Sequence, residues 1–268
     1  MGELLRVATK DFVTTISMNR PPVNALVPEL QDELLETLER LKDDDETRVV
    51  VLTSAINGYF MAGADVKAVA GEQGFDRENS STVERIAQLS RRTHSAFMEV
   101  ERFAKPLLAA INGHALGGGC ELTLVCDYRF MVDDGRSTIG QTEVGLGLIP
   151  GGGGTQRLPR LVGRTRAIEL ILEGTRLKAR DAAAIGLVNA AIPAEGFQDA
   201  VFQRARALAR KAPIALRLAK EAMHAGWYRQ DKGFEVEAEN FGRVAVTEDA
   251  MIGIASFLNK QEPEFKGR

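Results

Sequence analysis

The sequence predicts an α/β fold over residues 1–195 and a helical region over 196–268. Three observations lead there. Short β-compatible apolar runs, such as RVVVLTS at 48–54 and LLAAING at 107–113, alternate with helical patterns. Strand, turn and helix recur at loose spacing, which points to a spiral of similar layers. Beyond Pro193 no strand pattern follows, and apolar residues recur at intervals of three and four.

In chain order, VTTISMN (13–19) alternates as a strand, and the prolines of NRPPVNAL (19–26) force a turn. Pro28 opens a helix that places Leu30, Leu34, Leu38 and Leu41 on one face and Glu29, Glu33, Glu36 and Glu39 outside. RVVVLTS is a buried strand, and INGYFMAGAD (56–65) sets small residues between it and a helix start at Asp65. The polar GEQGFDRENSST (71–82) reads as a mobile loop and candidate lid, with Ser81 or Thr82 capping a helix over 83–104 whose stripe is Val83, Ile86, Ala87 and Leu89. LLAAING is the next strand. Gly117, Gly118 and Gly119 then lead into a helical segment Cys120–Val125. Further elements are a strand at 127–132, a turn at 133–135, helices at 164–173 and 179–185, and a last strand LVNAAIP at 187–193. The C-terminal helices must bury their stripes on the main domain or on another subunit.

Composition narrows the function. A net charge of −3 over 268 residues gives no attraction to nucleic acid or to an anionic membrane surface. No apolar run approaches the roughly 18 residues of a membrane span, and MGELLRVATK is unlike a signal peptide, so a cytoplasmic location is expected. Cys120 and Cys126 lie too close on one segment for a disulfide framework and are expected as buried small residues. His94, His114 and His224 form no H-x-x-x-H pair, so no metal site is expected. His114 lacks the G-x-S-x-G elbow of an acyl-transfer triad. GGGGTQR (151–157) is not followed by the Lys-Ser/Thr of a phosphate loop.

Two carboxylates remain, each set among glycines. Glu121 follows Gly117–Gly119 directly, and Glu143 stands in GQTEVGLGLIPGGGG. Glycine turns ahead of a helix bare backbone N–H groups to a substrate oxygen, which is the wiring of an oxyanion hole. Glycine turns with no charge of opposite sign nearby in sequence would desolvate the carboxylates, and two close ones push one pKa upward so that one donates while the other accepts.

The motifs NRPPVNAL, FMAGADVK, INGHALGGGCEL, QTEVGLGLIPGGGGTQRLPR and FLNKQEPEFKGR together resemble the enoyl-CoA hydratase/isomerase, or crotonase, superfamily. The resemblance covers essentially the whole chain. It implies a spiral of β-β-α units, a helical C-terminal region that makes trimer contacts, and a homotrimer or a hexamer built as a dimer of trimers. It carries the catalytic acids onto Glu121 and Glu143 and the oxyanion-hole N–H groups onto Ala64 and Gly118. Ala62, Asp65, Val66 and Lys67 would line the coenzyme A path, and Gly151 would line the reaction site. Phe241 and Lys260 match positions that contact the adenine and the 3′-phosphate. The implied reaction adds water to a 2-enoyl-CoA thioester with no cofactor, coenzyme A being part of the substrate. A double-bond isomerase, another acyl-CoA lyase or hydrolase, and an RNA-binding relative are the alternatives; isomerases commonly lack a reactive residue where Glu121 stands.

Overall fold

The computed structural model describes residues 4–65, 80–227 and 247–268. A six-stranded sheet runs in the order β1 (Leu5–Lys10), β2 (Val13–Met18), β3 (Val49–Ser54), β5 (Leu107–Ile111), β7 (Tyr128–Asp133), β10 (Ala190–Pro193). Only the β1–β2 pair is antiparallel. A second, four-stranded sheet is ordered β4 (Gly58–Met61), β6 (Gly113–Leu116), β8 (Thr138–Gly140), β9 (Leu177–Lys178). Strands β3, β5 and β7 thus each feed a partner in the second sheet, which makes successive β-β units stack as the layers of a spiral.

The apolar runs are continuous because the first sheet is covered on both sides. Val49, Val51, Leu108, Ala110 and Phe130 meet Phe197, Val201, Ala205 and Ala209 of α7 (Phe197–Ala209). Their neighbours in sequence, Val50, Leu52, Leu107, Ala109, Ile111 and Met131, face the larger core. That core also takes the leucine face of α1 (Pro28–Lys42), whose Leu30, Leu34, Leu38 and Leu41 are all buried as expected. Fully burying one leucine is worth about 1.5–3 kcal/mol, so the stripe alone fixes the helix against the sheet.

The remaining helices are α2 (Ser80–Glu101), α3 (Gly118–Leu124), α4 (Gly154–Val162), α5 (Arg164–Leu172), α6 (Ala179–Ala184), α8 (Pro213–Gly226) and α9 (Glu248–Asn259). Helix α2 begins before Ser81 and Thr82, so neither is its cap. Ile86, Ala87 and Leu89 are only half-buried, and full burial comes at Ala96, Phe97 and Val100. The reason is where α1 meets it: Gln31 donates to Thr93 Oγ1 at 3.0 Å, and the core begins beyond that point. Of the candidate lid at 71–82, residues 80–82 are the first of α2, while 71–79 and the helix expected to start at Asp65 lie outside the described residues. Helix α8 is tied down by Lys220, whose Nζ donates to Asp127 Oδ2 at 2.7 Å.

Strands β1, β4, β6, β8 and β9 and helix α4 are absent from the sequence reading. Strand β1 shows no alternation because every residue after Leu5 is exposed. Strands β6 and β8 are only four and three residues long. Helix α4 starts inside the glycine run and carries Pro159, both of which hide it from a propensity reading.

Candidate active site

The site is built where β4 and β6 end side by side. The two strands pair in parallel with Met61 opposite Ala115, so the turns that leave them lie together. From β4 the chain passes Ala62, whose N–H donates to Val23 O at 3.1 Å, and Gly63 to reach Ala64. Leu26 N–H donates to Gly63 O (2.8 Å) and Asp65 N–H to Leu26 O (3.1 Å), which holds the turn and passes over the Ala64 amide. From β6 the chain turns at Gly117 into α3, and Gly118 is its first residue, two earlier than the sequence suggested. A Cβ placed on Gly118 would stand 3.5 Å from the Ala64 nitrogen, so the two amides are neighbours. Among the described residues neither amide N–H has a backbone acceptor.

Glycine is required here for contact as well as conformation. At Gly117 φ is 51° and ψ is −121°, a combination L-residues rarely adopt. A Cβ there would also lie 2.9 Å from Glu143 Oε1, and one on Gly119 only 2.2 Å from Met61 O. The helix therefore sits directly on β4 and leaves Glu143 room against the turn.

Glu121, on the first turn of α3, is 3 % exposed. Its Oε1 accepts from Gly152 N–H and Gly154 N–H, both at 2.8 Å. The carboxylate thus occupies the N-terminal end of α4, where unpaired amides and the helix dipole favour an anion. Burial pushes its pKa above the ordinary value, and the Gly154 and Gly152 amides and the Arg157 guanidinium pull against that rise. The sequence reading expected no opposing charge; Arg157 supplies one because α4 folds back over α3. Glu143 begins a 3-10 turn (Glu143–Leu146) and is half-buried. Burial first, and the Glu121 charge second, push its pKa up to about 7. With its amide oriented to suit, Gln141 donates to both Glu143 oxygens at 3.1 and 3.3 Å.

The other residues singled out in the sequence fall as follows. Asp65 pairs with Arg20 at 2.9 Å. Gly151 O accepts from Ser90 Oγ at 2.7 Å, and the amides that reach Glu121 belong to Gly152 and Gly154. Lys260 is exposed just past α9, and Val66, Lys67 and Phe241 lie outside the described residues. His114 braces β6 to β8: its Nδ1 accepts the Thr138 N–H at 3.1 Å and its ring packs 5.4 Å from that of Tyr59. Sequence reasoning missed Gly152, Gly154, Arg157, Gln141 and Ser90. The available signal was GGGG leading into TQRLPR, a helix start next to an acid-bearing turn.

A family model described as enoyl-CoA hydratase/isomerase matches residues 8–268. The human enoyl-CoA hydratase domain-containing protein 2, mitochondrial, is 40 % identical over 262 residues, covering 96 % of this chain and 86 % of that protein. The short-chain-enoyl-CoA hydratase of Clostridium acetobutylicum is 36 % identical over 259 residues, covering 96 % of this chain and 95 % of that protein. The crystal structure of an enoyl-CoA hydratase from Bacillus anthracis superimposes with a TM-score of 0.89 at 38 % identity, covering 99 % of this chain and 100 % of that one. No helix of the described residues is long and apolar enough to cross a membrane.

Proposed function

The chain belongs to the enoyl-CoA hydratase/isomerase family, and we propose that it works there as a hydratase, adding water across the double bond of a 2-enoyl-CoA thioester. The observation that carries this reading is the pair of carboxylates with unlike surroundings beside two amides that have no acceptor among the described residues. Ala64 and Gly118 N–H receive the thioester oxygen, which draws electrons from the double bond and leaves C3 electrophilic. A pair of such donors can supply a large part of the enolate stabilisation, each being worth about 3 kcal/mol.

Glu121 is the base. Its Oε1 is held by two N–H donors as a carboxylate, and Oε2 is left to take a proton from water. The water oxygen bonds to C3 as the double-bond electrons move onto the thioester oxygen. Glu143, with a pKa of about 7, is the acid that delivers its proton to C2 as the enolate collapses. The product is a 3-hydroxyacyl-CoA, and exchange with solvent returns a proton from Glu121 to Glu143. Asp65, Val66, Lys67, Phe241 and Lys260 are assigned to the coenzyme A path on the family resemblance, as is assembly into a trimer or hexamer.

The test is the ultraviolet band of crotonyl-CoA, whose conjugated thioester is lost on hydration. Loss of the band with wild type, slowed by about 10²–10⁴ in both Glu121→Gln and Glu143→Gln, is the expected result. A band that persists, or a Glu121→Gln variant that still shifts double bonds while Glu143→Gln does not, supports the isomerase instead.

A further inference from the structure

We propose that Arg157 and Glu101 act as a positioning clamp that fixes Glu121 through the backbone of Gly152, an inference that rests on the hydratase reading. The clamp runs through three helices. Arg157 of α4 is 6 % exposed. Its Nε and Nη2 donate to Glu101 Oε2 of α2 at 3.0 and 2.9 Å, and its Nη1 donates to Gly152 O at 3.0 Å. Gly152 is therefore gripped at both ends, its carbonyl by the guanidinium and its N–H by Glu121 of α3.

The local sequence is shaped around this grip. A Cβ at Gly153 would lie 2.2 Å from Arg157 Nη1, and one at Gly152 2.6 Å from Glu121 Oε2. Bare glycines thus let a guanidinium and a carboxylate close on one peptide from opposite sides. Packing does not hold the arginine in place by itself. Behind it Glu101 and Arg157 line a cavity of about 450 Å³ that extends to Lys220 and Trp227. The fork of three hydrogen bonds does the holding. By fixing Gly152, and through it the spacing to Gly154, the clamp ties up one oxygen of Glu121 and aims the other. Neither Arg157 nor Glu101 touches the carboxylate, so both are positioning residues.

A plain salt bridge that merely joins α4 to α2 would make a different prediction. Replacing both members of a buried pair with apolar residues is often neutral for folding, so Arg157→Met/Glu101→Leu separates the two roles. The clamp predicts that this double variant keeps its thermal transition, loses about 100-fold in kcat for crotonyl-CoA and changes KM little. Its acid limb in the pH profile should move upward because the cation opposing protonation of Glu121 is gone. Arg157→Lys keeps that limb in place but loses kcat, since one ammonium cannot span both acceptors in the fixed fork of a guanidinium. Wild-type kcat and pH profile in the double variant overturn the proposal. Titrating the Glu121 carboxyl by carbon-13 NMR tests the clamp without turnover. An upward move there with a wild type that fails to hydrate crotonyl-CoA refutes the hydratase reading and leaves the clamp standing, whereas an unchanged titration refutes the clamp.

Discussion

Glu121 and Glu143 are kept from water by different means, and the difference shows in how each should titrate. Glu121 is enclosed and fastened by amides; Glu143 is half-open and bears the field of its neighbour. The hydration proposed above needs Glu121 ionised and Glu143 protonated. Activity is therefore lost as pH falls through the raised pKa of Glu121 and lost again as pH rises through about 7, where Glu143 gives up its proton. We expect a bell-shaped kcat/KM profile whose alkaline limb lies near that value. In Glu143→Gln that limb should vanish and kcat fall by about 10²–10⁴, the usual worth of a positioned acid. An alkaline limb that survives the substitution would assign the proton to another group. The two acids were legible in sequence because each stands among glycines. The cation that opposes protonation of Glu121 was not, since Arg157 is 36 residues away and arrives only through the packing of α4.

At the scale of the elements, α3 and α4 both use their first turns to present backbone amides, and both need close approach. Gly119→Ala drives a methyl into Met61 O at 2.2 Å, which backbone cannot yield to cheaply. The expected cost is about 3 kcal/mol in urea unfolding. Gly117→Ala should cost less, about 1–2 kcal/mol for the strained φ, yet reduce kcat more, because its methyl displaces Glu143. Equal ratios of stability to activity loss in the two variants would dissociate Glu143 from the turn. The elements read correctly in sequence include those with a plain apolar pattern: the leucine stripe of α1 and the unbroken buried runs of β3, β5 and β7. Those that escaped lack a period to read. Strand β1 buries only Leu5, β6 and β8 are too short, and α4 is disguised by glycine and proline.

For the molecule as a whole, the sheet covered on both faces is the frame, and α8 hangs on it by few contacts. Lys220 is 7 % exposed, and its partner Asp127 also accepts the Leu107 N–H at 2.8 Å, at the start of a central strand. Removing the lysine leaves a carboxylate uncompensated at that strand. Lys220→Ala should therefore cost about 3 kcal/mol, measured by urea unfolding. A wild-type unfolding midpoint in the variant would show that the lysine contributes nothing there.

The parallel pairing of β4 and β6 carries a consequence for inheritance. Both amides assigned to the thioester oxygen are main-chain groups, so no exchange of side chains short of proline deletes them. The walls around them are ordinary residues, open to substitution one at a time. A lineage built on this frame can change the acyl groups it admits while handing down the polarising machinery intact, because that machinery is written in two strands and the few glycines that turn out of them.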